Sequence, residues 1–272
     1  MKPARFTYLR PETTDEALGA LATHGSDARI LAGGQSLMAV LNMRLAQPGA
    51  LVDISMLAEL AYLRDDGDVL AIGAATTQGA LERHPGLRDE VPLAALALPW
   101  VSHFQIKNKG TVCGSIAHAD PSAELPLVLC ALQGEVVLAS AAGRRTVAAE
   151  EFFQGMLQTA CAPDEMIVEV RLPRRRARTG YAFREVAQRH GDFALVALAA
   201  VCTDEHLSLA VGGVADRPVV RHWPVLDGTA LDDALNEFAW ALGAEDDAHA
   251  SAAYRRHLTR VLGRQVLEEA RP

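Results

Sequence analysis

Two short runs of small, turn-forming residues are the parts of this 272-residue chain best suited to hold a ligand. One is Ala32-Gly33-Gly34-Gln35-Ser36; the other lies inside the stretch Lys107–Glu124, KNKGTVCGSIAHADPSAE. Such runs present rows of backbone N–H groups, which bind phosphate with little side-chain help. Two of them in one chain suit a long ligand with two phosphates, and a dinucleotide cofactor is the first candidate. Neither run carries a standard nucleotide fingerprint. The first lacks the G-x-G-x-x-G of a Rossmann turn, and Gly110–Gly114 has no Lys-Ser/Thr following it as a Walker A loop requires. Each taken singly is as readily an ordinary structural turn.

The other chemistry-bearing residues point elsewhere or nowhere. Cys113, Cys130, Cys161 and Cys202 form no CxxC pair, so neither a zinc ribbon nor an iron–sulfur cluster is encoded. His118 and Asp120 have no third ligand at metal-binding spacing and there is no HExxH, so no metal site is expected. His103 and His190 read as surface or packing residues. A net charge of −8 argues against broad nucleic-acid binding. The basic run RLPRRRAR at 171–178 reads as a solvated linker or a partner contact. No apolar run reaches membrane-spanning length and the N-terminus has no export-type run, so a cytoplasmic location is expected.

The elements that must position these runs follow from periodicity and punctuation. Ala4–Leu9 suits a short strand, and Thr13 or Thr14 caps a helix that closes at His24-Gly25. Ala28–Ala32 is a strand that feeds the first run, and Leu37, Val40, Leu41 and Leu45 recur at helical spacing after it. Ser36 or Gln35 would cap that helix, turning its positive end to whatever the loop holds. Hairpins are expected around Asp65–Asp68 and Ala142-Gly143, a helix after Thr76-Thr77-Gln78, and a strand with one wet face at Met166–Leu172. Beyond Pro173–Thr179, three antiparallel strands (Tyr181–Val186, Phe193–Cys202, Leu207–Val214) precede two helices, Leu231–Leu242 and Ala250–Ala270. On the second helix Arg255, Arg256 and Arg260 lie nearer the wet side. The fold class is α+β, with an N-terminal domain at 1–176 (subdomains about 1–55 and 56–176) and a smaller α+β domain at 177–272.

AGGQSL followed downstream by NKGTVCGSIAHADPSAELP resembles the flavin-binding medium subunit of the molybdenum hydroxylases. That group includes the FAD subunits of carbon-monoxide-dehydrogenase-type and xanthine-dehydrogenase-type enzymes, with a PCMH-type (vanillyl-alcohol-oxidase-like) FAD-binding fold. The resemblance runs to the closing helix, AHASAAYRRHLTRVLGRQVL. It implies that Ile30, Leu31, Ala32, Gly33, Gly34, Gln35, Ser36 and Leu37 wrap the FAD pyrophosphate, and that Thr111, Val112, Cys113, Gly114 and Ser115 form the opposing wall. It also implies that Val101 and Ile167 pack on the cofactor and that Asp120 or Glu124 hydrogen-bonds its ribose or adenine side. Phe193 would shield one flavin face. Arg184 would take the place of a usual Lys near the ring's polar edge, where a positive charge favours reduced, anionic flavin. Cys113 stands where the usual T-x-G-G loop has glycine and reads as a small loop-filling residue. Gln35 stands where covalently flavinylated relatives carry His, so the FAD is expected to be non-covalent.

The function this implies is an electron-relay subunit of a molybdenum hydroxylase. A large subunit would hold the molybdenum cofactor and a small subunit two [2Fe–2S] clusters, in a dimer of heterotrimers, with electrons leaving through FAD to an external acceptor. A free-standing flavin oxidoreductase acting on its own substrate is the alternative, and a binding or assembly module without redox work is a third reading.

Overall fold

The computed structural model describes residues 2–272; Met1 lies outside them. The first unit is a small parallel sheet. β1 (Thr7–Leu9) leads into α1 (Thr14–His24), then β2 (Ala28–Leu31), α2 (Leu37–Asn42) and β3 (Ala50–Asp53), with strand order β1-β3-β2. Thr13 caps α1, its hydroxyl accepting from the N–H of Glu16 at 3.2 Å. Ala17, Leu18 and Leu21 recur at helical spacing and pack the helix onto the core shared with β2 and β3.

The second unit runs from β4 (Leu63–Asp66) and β5 (Val69–Gly73) through the helices α3 (Gln78–Glu82), α4 (Leu87–Glu90), α5 (Pro92–Ala97), α6 (Phe104–Lys107), α7 (Val112–His118) and α8 (Glu124–Ala131). It continues with β6 (Glu135–Ser140), β7 (Gly143–Ala148), α9 (Ala149–Phe152), the small ladder β8 (Phe153–Gly155) and β9 (Gln158–Thr159), and β10 (Met166–Pro173). The main sheet is antiparallel, ordered β4-β5-β10-β6-β7. Because β10 is central, the wet face expected of it is closed: Glu169 is buried. It accepts from Tyr62 Oη at 2.7 Å, Arg64 Nη2 at 2.8 Å and Arg171 Nε at 2.7 Å. Burial alone would push that carboxyl up; the hydrogen bonds and nearby arginines more than offset it and hold it below the usual range.

The last unit is a four-stranded antiparallel sheet, β11 (Thr179–Ala187), β12 (Ala194–Thr203), β13 (His206–Gly212) and β14 (Val219–Pro224), followed by α10 (Gly228–Ala241) and α11 (Ala252–Glu269). The fourth strand was not expected, since Val219–Pro224 ends in proline and carries Arg221 and His222. It is an edge strand, where both are tolerated. The sheet is apolar on both faces. One face carries Phe183, Ala197, Ala199 and Ala210 into the core of the preceding unit; the other carries Leu198, Leu209 and Val211 against Leu235, Phe238, Val266 and Leu267.

Two further expectations are corrected. Arg255 is buried rather than near the wet side: its guanidinium reaches Asp247 Oδ2 at 2.7 Å and the carbonyls of Glu245 and Ala250, pinning the loop that precedes α11. The arginine run is not a solvated linker throughout, because Arg174 pairs with Asp65 at 2.6 Å and its backbone N–H bonds to Asp68. Among the described residues no helix is long and apolar enough to cross a membrane.

Phe238 is buried and meets Trp223 edge-on, with ring centroids 5.6 Å apart. Phe238→Ala should cost about 3–5 kcal/mol in denaturant unfolding. Exposed Trp240, two residues on, makes a cation–π contact with Arg256, and Trp240→Ala should cost about 1 kcal/mol or less.

Candidate functional site

β2 ends at Leu31 and delivers the chain into the first glycine run. Gly34 turns it with φ at 70°, in the region only glycine enters without strain. The N–H groups of Gly33, Gly34, Gln35, Ser36 and Leu37 donate to no acceptor among the described residues. Five consecutive orphan donors in a half-exposed loop are costly unless a ligand or water takes them, and their natural partner is a row of anionic oxygens. The amide of Gln35 folds back onto the Gly33 carbonyl at 2.8 Å.

At Gly33 a β-carbon would overlap the carbonyl oxygen of Lys109 and lie 2.6 Å from Gly110 Cα. The two glycine runs therefore touch through backbone. The second run is not one loop: it is a turn at Lys109–Thr111, then α7, then a turn at Ala119–Ala123. Thr111 caps α7, accepting from the N–H of Gly114 at 3.0 Å. Val112 and Cys113 face the core, where the Cys113 thiol lies 3.5 Å from the Ile72 carbonyl. Burial pushes that thiol up, which leaves it inert. The turn itself is held by Thr76–Gln78, through Val112 N–H to Thr76 O at 3.1 Å and Gln78 N–H to Gly110 O at 2.8 Å. The buried Oε1 of Gln78 has no hydrogen-bond partner, and it lies beside Gly110. In the sequence Gln78 was visible only as part of a helix cap.

The sheet β11–β14 packs against α5, α8 and the turn that precedes α8. Glu185 pairs across the ladder with Ala197, and Ala197 with Gly212. Residues directly opposite share a face, and a β-carbon on Gly212 would lie 3.1 Å from the Pro121 carbonyl and 3.6 Å from Leu127. Glu185 therefore faces the turn that opens α8, where Glu124 is buried. Arg184, one residue away, shares its row with Leu198 and Val211 and faces α11, pairing with Glu269 at 3.0 Å. Its guanidinium is therefore on the α11 side of the sheet. Further along, Trp100 stacks on His190 with ring centroids 5.3 Å apart, and Gly191 (φ 86°) lies against the Ser102 backbone. Phe104 and Phe193, each two residues from that contact, are 65% and 60% exposed.

Two family models match the chain: "FAD binding domain in molybdopterin dehydrogenase" over residues 4–175, and "CO dehydrogenase flavoprotein C-terminal domain" over 181–270. The chain belongs to the FAD-binding medium subunits of the molybdenum hydroxylases. It is similar to caffeine dehydrogenase subunit beta of Pseudomonas sp. (39% identical over 228 residues, 82% of this chain and 77% of that one). It is also similar to the nicotine 6-hydroxylase medium subunit of Paenarthrobacter nicotinovorans (37% identical, 99% of each chain). Among solved structures, a carbon monoxide dehydrogenase from Hydrogenophaga pseudoflava superposes with a TM-score of 0.93 at 31% identity, covering 99% of this chain and 98% of that one.

As an oxidoreductase medium subunit, the chain has a site whose residues fit FAD: orphan N–H donors in a row, beside an approach that a β-carbon would fill. Of the residues singled out in the sequence, Gly33, Gly34, Gln35, Ser36 and Leu37 line that row. Ile30, Leu31 and Ala32 are half-buried behind it, and Ser115 is half-buried on α7. Val101 and Ile167 are core residues of the medium subunit. Asp120 accepts from the N–H of Ser122 at 2.9 Å, shaping the turn before Glu124.

Burial pushes Glu185 up to about 8, helped by the nearby Glu124 charge, and Glu124 up to about 7. The folded chain thus keeps protons that the unfolded chain has lost. Stability is fullest below the ordinary glutamate range and declines as pH rises to the folded values. The melting temperature of the flavin-free subunit should fall between about pH 5 and pH 8, and Glu124→Gln should flatten part of that fall. An unchanged slope in thermal melts of that variant would contradict the assignment.

Proposed function

We propose that this medium subunit is the electron relay of a molybdenum hydroxylase complex, taking electrons from [2Fe–2S] clusters on a small partner subunit and passing them to an external acceptor. The observation that supports the reading is the row of unpaired N–H groups at residues 33–37, which begins where Gly33 lies against the backbone of Lys109 and Gly110. Bound FAD supplies chemistry that joins one-electron donors to one- or two-electron acceptors. The medium chains this subunit resembles serve carbon monoxide, caffeine and nicotine enzymes, so the large subunit with its molybdenum cofactor would set the substrate.

The chain's own residues would do four things. Gly33 to Leu37 would donate to the pyrophosphate, and the Lys109–Thr111 turn, with Gly114 and Ser115 of α7 behind it, would limit the ligand's other side. Thr76–Gln78 would hold that turn in place from behind. Glu124 or Asp120 would bind a hydroxyl of the ribose or adenine side. Phe104 and Phe193 would cover the ring and keep water off it. With Gln35 exposed and bonded to its own loop, the attachment is non-covalent. Domains of 1–176 and 177–272, a cytoplasmic dimer of heterotrimers and two partner subunits complete the reading.

Isolation from the native host tests it. The expected preparation contains three different chains, flavin absorption over a broad iron–sulfur background, and molybdenum by elemental analysis. A lone yellow protein that turns over substrate unaided would favour the free-standing flavin enzyme instead. In the same preparation, Gly33→Val and Gly34→Val should each lower flavin content at least tenfold, the first by driving the loops apart and the second by straining a φ of 70°. Full flavin occupancy in both variants would end the proposed geometry.

A further inference from the structure

Glu185 is the one side chain among the described residues with both carboxylate oxygens buried and no hydrogen-bond partner for either. It stands on β11, and its face of the sheet packs on α8, whose first residue, Glu124, is also buried. The two acids therefore come from opposite sides of one seam, where the C-terminal sheet meets the FAD-binding domain. Among the described residues, none offers either acid a free cation. Lys107 of α6 bears on Glu124 but is committed to Glu82 at 2.5 Å and to the Leu98 carbonyl at 3.2 Å. Arg184 faces α11 and pairs with Glu269; Arg189 pairs with Asp192, and His190 stacks on Trp100. Arg217, which bears on Cys130 at the far end of α8, donates to the Phe153 carbonyl. The turn before α8 adds only Asp120, another acid. α5 (PLAALA) and the rest of α8 (LPLVLCA) carry no charge, and the row of Glu185 continues as Ala197 and Gly212. Tyr181 and His222 share that face only at the row of Ser208, four residues along the strands.

Burial without a counter-charge favours the protonated form of each carboxyl. Loss of those protons places two like charges in one apolar seam. That seam is also the more thinly packed of the sheet's two faces. To it the sheet gives Phe183 and otherwise Ala197, Ala199, Ala210 and Gly212; the other face sets Leu198, Leu209 and Val211 against Phe238, Val266 and Leu267. Small side chains bury less apolar area. A backbone hydrogen bond, from the N–H of Gly213 to the Pro121 carbonyl at 2.8 Å, crosses the seam close to Glu124. We propose that Glu185 and Glu124 form a proton-held latch between the C-terminal sheet and α8: as pH rises the two acids ionise, and this seam opens while each side keeps its own fold. The docked form holds protons that the undocked form gives up, with Glu185 raised to about 8 and Glu124 to about 7. Docking is therefore tightest below the ordinary glutamate range, weakens as pH rises, and levels off above about pH 8. The latch needs no cofactor, so it stands or falls apart from the proposed relay.

Amide hydrogen exchange on the full chain, with the subunits that copurify with it, tests the latch between about pH 6 and pH 9. The readout is protection of the Gly213 amide, whose acceptor lies across the seam, corrected for the intrinsic pH dependence of exchange. In the wild type it should fall by about a hundredfold or more from about pH 6 to about pH 8 and then level off. The amides of α10, which rests on the other face, should not follow. Glu185→Gln cannot ionise, so its fall over the same range should be smaller by about tenfold or more. Glu124→Gln should remove a smaller share, because that part ends near pH 7. Both comparisons are ratios within one variant, so a constant cost of burying the amide drops out. Level protection at Gly213 in the wild type, or the full wild-type fall retained in E185Q, would overturn the proposal. So would an equal fall in α10, which would mean unfolding of the whole chain rather than opening of the seam. If E185Q does not fold, the full wild-type fall retained in E124Q overturns it instead, and the contrast between Gly213 and α10 in the wild type still applies.

Discussion

The backbone of Gly33 lies against the backbone of Lys109 and Gly110 at a separation that a β-carbon would close. That contact joins the edge of the small parallel sheet to the helical segment of the second unit. The N–H groups that follow it have no acceptor among the described residues. The neighbouring turn is held from behind by Thr76–Gln78, and α7 is capped by Thr111, so the second run spends its own hydrogen bonds on rigidity. One loop therefore offers donors while the other gives them a fixed wall. This division of labour suits a bridging diphosphate better than two loops that both bind weakly.

The β11–β14 sheet obeys a different constraint. Both of its faces are apolar, so it cannot stand alone; it needs α10 and α11 on one side and α5 and α8 on the other. Strand alternation within that sandwich sends Arg184 and Glu185 to opposite sides. The outward arginine finds Glu269, while the inward glutamate is left among alanines, a glycine and another acid. Burial raises both Glu185 and Glu124 above the ordinary carboxylate range.

Much of the architecture was legible in the order of residues, because turns and caps are local. Thr13, Thr77 and the Asp65–Asp68 turn act where side-chain type predicts, since each needs only its neighbours in the chain. β14 was missed because its sequence suits an edge, where the partner strand supplies what propensity does not. The site was half legible. Glycine at 33 and 34 is a statement about backbone space, readable in one dimension. The run around Cys113 looked like open loop because its small residues also suit a tightly packed short helix.

What the sequence determined by itself was the set of glycine turns, the absence of cluster-forming cysteines, and a resemblance that the family matches bear out. Only the tertiary structure decided which member of a charged pair faces inward. A strand's period of two puts Arg184 and Glu185 on different faces, but which face is interior depends on where α8 and α11 dock, and those contacts are made by residues far away in the chain.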